Sequence, residues 1–460
     1  MVAGLFDSVV FLFTFLPVVL FLYYLIPEQL KNVLLLLASL VFYAWGEPVA
    51  VFLLIGLVLF DYACGLHLAK VLKNRRRARS AVMFCALVNL ALLCVFLYGR
   101  TVLDGLRLIL PVEIPFRGFA LPMGMTFFTL QMLSYIIDVY RGNVKVQKNP
   151  ADLALYGFMF PKISGGPLLR YEEMAGQLRA RQMSAGKVGE GVMYFIRGLS
   201  KKVLFADNIG LLHTEVMALG AGQVSVLSAW LGCIAFSLEI YYNLSGYTDM
   251  AIGLGKMTGF DLPENFQYPY LAGSTTEFWY KWHMSLGAWF REYVYHPLGG
   301  GDAEESKQVR NILVIWLLAG LTHGLSWNYV IWGLYCGLLM VAEKLFLWRL
   351  LDQMPAVLGH IYSVFMVMVG WVFFFSQRAG GAFAYLGNMF GAGANGLADD
   401  RGMYLLVTNL VLLLVMVIGL FPFVHKGYES IMDRGGKGLA LLNCVIYGVM
   451  FLLCVTYIVC

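Results

Sequence analysis

The stretch Leu317–Gly333, LLAGLTHGLSWNYVIWG, sets one histidine, His323, between two apolar arms. The arm that follows belongs to an apolar run over Ser326–Leu347, long enough to cross a bilayer, and the arm that precedes it is a shorter run over Asn311–Thr322. An ionisable ring at membrane depth is costly and generally faces a bundle interior or an aqueous path. What the ring does there is therefore a question about both fold and function.

The rest of the chain has the same character. Of 460 residues, 60% are hydrophobic and only 13% charged, where an average soluble domain carries about 25% charged residues. With a mean hydropathy of +0.72, that much apolar surface cannot be hidden in a water-soluble core. Long apolar runs cover Val9–Ile26, Val49–Ala69, Ala81–Tyr98, Phe119–Ile137, Val224–Tyr242, Ser326–Leu347, Leu358–Phe375, Met403–Phe423 and Leu439–Val459. Shorter runs lie at Asn32–Trp45, Gly189–Leu212 and Asn311–Thr322. The pattern predicts an all-α polytopic membrane protein of about ten to twelve passes, with added re-entrant or interfacial helices, forming one domain over residues 1–460. The first run contains Pro17 and lacks a charged start and a small-residue cleavage site, so it reads as a retained span and not a removable signal.

Loop charge gives the orientation. Lys70–Ser80, KVLKNRRRARS, holds six cations and no acid between two spans, and it is expected to face the cytoplasm. Counting spans back puts the N-terminus on the extracytoplasmic face of the cell inner membrane, and counting forward puts Arg141–Lys148 inside again. Its place between two spans also argues against a nucleic-acid patch. The eight cysteines form no CxxC pair and no Cys/His metal spacing, and read as small core residues. No internal repeat of the kind transporters often carry is visible.

The middle third departs from a simple string of spans. In LYGFMFPKISGGPLLRYEEM, Leu155–Met174, Pro161, Gly165, Gly166 and Pro167 interrupt an apolar run. Broken backbone is tolerated in a membrane only where protein or water supplies hydrogen-bond partners, so this segment reads as re-entrant or interfacial, with Arg170, Glu172 and Glu173 at headgroup level. Further on, TTEFWYKWHMSLGAWFREYVYHPLGGG, Thr275–Gly301, mixes aromatic and charged residues. The spacing of His283, Gly287 and Arg291 predicts one shared face of an amphipathic, aromatic-rich helix.

Of seven histidines, His67, His213, His296, His360 and His425 sit near loops or span ends and read as surface or snorkelling residues. His323 is flanked by Thr322 and Ser326, with Gly320 and Gly324 leaving room for close approach and Trp327 placed to wall a cavity. Two readings stay open for it: a core ring satisfied by hydrogen bonds, or a general acid–base group exchanging a proton with a hydroxyl. No second ligand lies one helical turn away to suggest a metal. The G-x-S-x-G serine elbow and the Gly-rich nucleotide motifs are not found either; Gly253 and Gly255 make only a lone G-x-G.

Taken together, EFWYKWHMSLGAWFREYVYHPLGGG and LLAGLTHGLSWNYVIWG resemble the membrane-bound O-acyltransferase family, in particular its bacterial branch serving alginate O-acetylation, with relatives in peptidoglycan O-acetylation and teichoic-acid D-alanylation. The likeness extends in order through LPMGMTFFTLQMLSYIIDVYRG, FPKISGGPLLRYEEM and YYNLSGYTDMAIGLGKMTGFDLPENFQYPY, over roughly Val9 to Gly337. It implies helices around a central tunnel pinched in the middle, with His283 and His323 as the catalytic pair near the pinch. It also implies an acyl thioester donor such as acetyl-coenzyme A, no permanently bound cofactor or metal, and an extracytoplasmic partner protein that hands the acyl group to a polysaccharide. Lys281, Trp282, Arg291, Ser326 and Trp327 are the candidates for holding donor and acceptor, Lys281 and Arg291 through coenzyme phosphates. Where the family shows Arg before the first histidine, this chain has Tyr280 and Lys281, which keeps one basic group. Two other classes fit the span pattern: a transporter or flippase for an acyl or sugar carrier, and a membrane subunit that recruits an external transferase while its own histidines stay inert.

Overall fold

The computed structural model describes residues 6–109, 120–163, 165–220, 222–432 and 434–460. Among the described residues the regular structure is helical, apart from one isolated antiparallel bridge between Phe266 and Trp282. Helices are the expected solution in lipid, because each backbone N–H and C=O is satisfied within its own segment.

Seven described helices are long and apolar enough to cross a membrane: Glu28–Gly46, Ala50–Val71, Arg75–Arg107, Trp327–Gln353, Ala356–Phe375, Asp400–Gly419 and Lys437–Val459. The shorter Phe11–Leu25 is also apolar. The run over Val224–Tyr242 forms part of a 32-residue helix, Val226–Met257. That over Phe119–Ile137 becomes the helix Met125–Arg141, its first residue lying outside the described residues. Large apolar side chains point outward, with Phe52 and Val411 73% and 76% exposed. Buried polar groups such as Asp61, Asn89 and Glu343 point inward. An apolar exterior around a core that also holds polar groups is what a hydrocarbon solvent selects, and the protein is a multi-pass all-α membrane protein.

The chain divides into two compact units. The first comprises Met1–Phe195 with Thr248–Pro263, the second Ile196–Tyr247 with Glu264–Cys460. In the first unit the interrupted segment is confirmed as broken backbone. A helix over Pro150–Phe158 stops, one turn follows over Phe160–Ile163, and a helix resumes at Tyr171. Protein groups satisfy the gap: Phe160 N donates to Ser39 Oγ at 3.0 Å, Tyr156 OH to the Leu169 carbonyl at 2.8 Å, and the buried Lys162 to Gln131 Oε1 at 2.8 Å and to the Tyr156 carbonyl. The six cations of Lys70–Ser80 lie where the Ala50–Val71 helix ends and the Arg75–Ile109 helix begins, and among the described residues none forms an ion pair. All eight cysteines are free thiols.

The second unit is centred on aromatic rings. Its core joins the Val226–Met257 helix, up to Tyr247, with the helices Thr275–Lys281, Trp327–Ala342 and Ala356–Phe375. The helices Glu305–Leu321 and Trp327–Ala342 form a tight hairpin whose backbones touch at glycines. A Cβ at Gly320 would lie 2.4 Å from the Tyr329 carbonyl oxygen, and one at Gly333 would lie 2.4 Å from that of Trp316. Gly333 and Gly337 set the small-xxx-small spacing that lets membrane helices approach this closely.

Candidate active site

Two turns of the second unit carry the histidines. The first is built from the Ala272–Ser274 loop upward. His360 Nδ1 sits 3.1 Å from the Ala272 carbonyl, and Ser363 Oγ donates to the Ser274 carbonyl at 3.0 Å, which docks the loop on the Ala356–Phe375 helix. Ser274 then caps the helix Thr275–Lys281, its hydroxyl accepting from Glu277 N at 3.0 Å. A buried carboxyl, Glu343, completes this start. Its Oε1 accepts from Thr275 N (2.7 Å) and Thr275 Oγ1 (2.6 Å), and its Oε2 from Thr276 N at 2.8 Å. Glu343→Ala strands three donors and is expected to lose about 3–5 kcal/mol of stability, with Glu343→Gln between it and wild type because one amide hydrogen opposes Thr276 N–H; thermal unfolding of the three purified proteins gives the order.

The helix ends at Lys281, and here the structure differs from the expected continuous amphipathic helix. His283 has φ 46° and ψ 53°, the left-handed region, and a new helix begins at Met284. A third piece, a π-helix over Arg291–Tyr295, follows. His283, Gly287 and Arg291 therefore do not line one helical face. The physical reason is long-range: Asn265–Gln267 pairs antiparallel with the turn, through Gln267 N to the Lys281 carbonyl at 3.0 Å and Met284 N to the Asn265 carbonyl at 2.9 Å. A histidine held left-handed costs about 1–3 kcal/mol and persists only where its surroundings over-determine it, which is a feature of functional sites. Asparagine tolerates this conformation better than alanine, so His283→Asn is expected to melt above His283→Ala, by about 1 kcal/mol of stability. Equal melting of the two would remove the strain.

The second turn is the glycine-rich tip of the hairpin. Thr322 ends the Glu305–Leu321 helix, His323 N donates to the Gly320 carbonyl at 3.1 Å, and Gly324 has φ 131°. The next helix starts after Ser326. The His323 imidazole remains exposed, although three rings edge it: Phe374 at 4.9 Å, Trp332 at 5.6 Å and Tyr329 at 5.8 Å between centroids. From it a relay of rings runs inward, Trp332 to Trp371 at 6.3 Å and Trp371 to Trp282 at 5.2 Å, reaching the residue before His283. Trp279 bridges this relay, touching Trp316, Trp332, Trp371 and Trp282.

The other expected site residues are placed as follows. Trp282 is buried, stacked on Phe278 at 5.4 Å and edged by Phe266 at 5.1 Å. Lys281 is paired with Glu277 at 2.6 Å, and Arg291 lies over the Tyr280 ring at 4.7 Å. Ser326 hydroxyl is engaged with Asn328, whose Nδ2 donates to the Ser376 carbonyl at 2.8 Å. Trp327 is 75% exposed and stands outside the ring cluster. Sequence reasoning missed Glu343, Asn265, Trp371 and Phe374. Only Glu343 left a signal, an acid inside an otherwise apolar run.

The helical bundle thus carries one histidine on a tight hairpin, linked by a chain of aromatic rings to the turn that holds a second histidine in the left-handed region. Sequence comparison gives the class. Residues 35–378 match the model of the membrane-bound O-acyltransferase family, and the chain belongs to that family. It is 36% identical over 435 residues to a probable alginate O-acetylase of Pseudomonas aeruginosa, covering 92% of this chain and 83% of that one. It is 30% identical over 430 residues to a peptidoglycan O-acetyltransferase of Helicobacter pylori, covering 86% and 81%. A teichoic acid D-alanyltransferase of Bacillus subtilis is 28% identical over 315 residues, covering 64% and 75%. The protein is thus an enzyme, a membrane O-acyltransferase.

Proposed function

We propose that this enzyme takes an acetyl group from a cytoplasmic thioester, acetyl-coenzyme A, and delivers it across the membrane for O-acetylation of an extracytoplasmic polysaccharide through a partner protein. The observation that carries the reading is the exposed His323 ring at the start of the aromatic relay to Trp282–His283. The similarity to O-acetyltransferases whose names specify alginate and peptidoglycan supports an acetyl donor and a polymeric acceptor.

In this reading the acceptor hydroxyl lies against His323. As its oxygen attacks the thioester carbonyl, the imidazole takes the hydroxyl proton. The tetrahedral oxyanion collapses, the C–S bond breaks, and the leaving thiolate receives that proton from the imidazolium, so the products are an ester and a free thiol. His283 orients the thioester and stabilises the oxyanion. Lys281, tied to Glu277, and Arg291, laid on Tyr280, hold their cations in fixed positions for coenzyme phosphates. Trp282 packs the donor side, while Ser326 and Trp327 border the approach to His323.

The orientation places the unpaired cations of Lys70–Ser80 in the cytoplasm of a cell inner membrane and the N-terminus outside; a cysteine at position 76 should react with an impermeant reagent only from the cytoplasmic side. The test of function is release of free thiol from acetyl-coenzyme A by purified protein in nanodiscs, with and without an acceptor. Thiol release that depends on His323 supports the reading. Silence under both conditions contradicts it and favours a carrier without chemistry.

A further inference from the structure

Asn265 stands opposite His283 across the Phe266–Trp282 bridge and is buried. Its carbonyl oxygen accepts from Met284 N at 2.9 Å, and its side-chain Oδ1 accepts from Ser285 N at 2.9 Å and Ser285 Oγ at 2.8 Å. One residue therefore grips both peptide N–H groups that follow His283. A backbone N–H can only donate, so the amide oxygen must face Ser285, which fixes the side-chain orientation. The amide nitrogen of Asn265 is buried and meets no acceptor among the described residues. The hydrogen bonds that the side chain makes to the turn run through its oxygen.

We propose that Asn265 is the positioning residue of the acyl-transfer site, holding His283 in its left-handed turn and so aiming the imidazole at the donor. This rests on the reading above that His283 orients the thioester. Without Oδ1 the start of the following helix loses its hold, His283 relaxes toward a common backbone conformation, and the ring swings away from the aromatic relay.

The test compares wild type, Asn265→Ala and Asn265→Asp in nanodiscs, measuring kcat and KM for thiol release from acetyl-coenzyme A together with thermal unfolding. Displacing a reacting group by about 1 Å can cost about 10²-fold in rate, so Asn265→Ala is expected to lose kcat on that scale while KM stays near wild type. Asn265→Asp keeps the accepting oxygens and should recover most of the rate. Should the alanine variant fail to fold, the aspartate variant alone decides, and an active Asn265→Asp supports the clamp. Full activity of Asn265→Ala, or an Asn265→Asp that folds but is as inactive as the alanine variant, overturns the proposal. Absence of thiol release from wild type would instead count against the proposed function.

Discussion

His323→Ala is expected to give a folded protein that transfers acyl groups about 10²–10⁴-fold more slowly, the range that general-base help supplies. The fold should survive because the ring is exposed, and its described contacts are ring edges at 4.9 Å or more. Its backbone turn is fixed by Gly320 and Gly324, not by the imidazole. A satisfied core histidine would show the opposite pattern, with stability lost and turnover kept. Rate at saturating acetyl-coenzyme A, read beside the unfolding temperature, separates the two. A variant transferring near the wild-type rate would move the proton-transfer role elsewhere.

The second large effect falls on the hairpin that presents this ring. Any Cβ at Gly320 would overlap the Tyr329 carbonyl oxygen, and backbone cannot swing aside as a flexible side chain would. Forcing atoms into packed space typically costs about 1–3 kcal/mol and sometimes more. Gly320→Val, with two further methyl groups in contact, should reach the upper end of that range and separate the helices. Unfolding temperature in detergent is expected to fall sharply, and activity to disappear with it. Gly56 is the control: a Cβ there meets nothing within 4 Å inside the Ala50–Val71 helix. Gly56→Ala should be neutral or stabilising by up to about 1 kcal/mol, since alanine is the better helix former. Equal behaviour of the two variants would mean the glycine contact does not hold the hairpin together.

Membrane character and most spans were legible because lipid imposes one simple rule on long segments, namely that apolar residues fill them. The interruption at Leu155–Met174 was legible too, since two prolines and two glycines cannot sit in an uninterrupted helix. His323 stood out because a titratable ring between apolar arms is rare. The conformation of His283 was not legible. Its four-residue spacing to Gly287 and Arg291 is genuine helical periodicity, but Asn265 and Phe266, nearly twenty residues upstream, pull the chain into a left-handed turn that local pattern does not encode. Trp371 and Phe374 were hidden for a similar reason: they belong to a span whose composition is uniformly apolar, and only packing brings them to the histidines. Trp327 was placed by adjacency to His323, yet the first turn of its helix directs the ring outward.

The account rests on an imidazole that water and substrate reach through protein. Placing a single cysteine at position 323, in a chain freed of its eight native thiols, and treating it in nanodiscs with a small charged methanethiosulfonate reagent tests this most directly. Reaction that acetyl-coenzyme A slows is the predicted result. A cysteine that stays inert to the charged reagent while a lipid-soluble maleimide labels it would show that position 323 faces hydrocarbon, and would contradict the account.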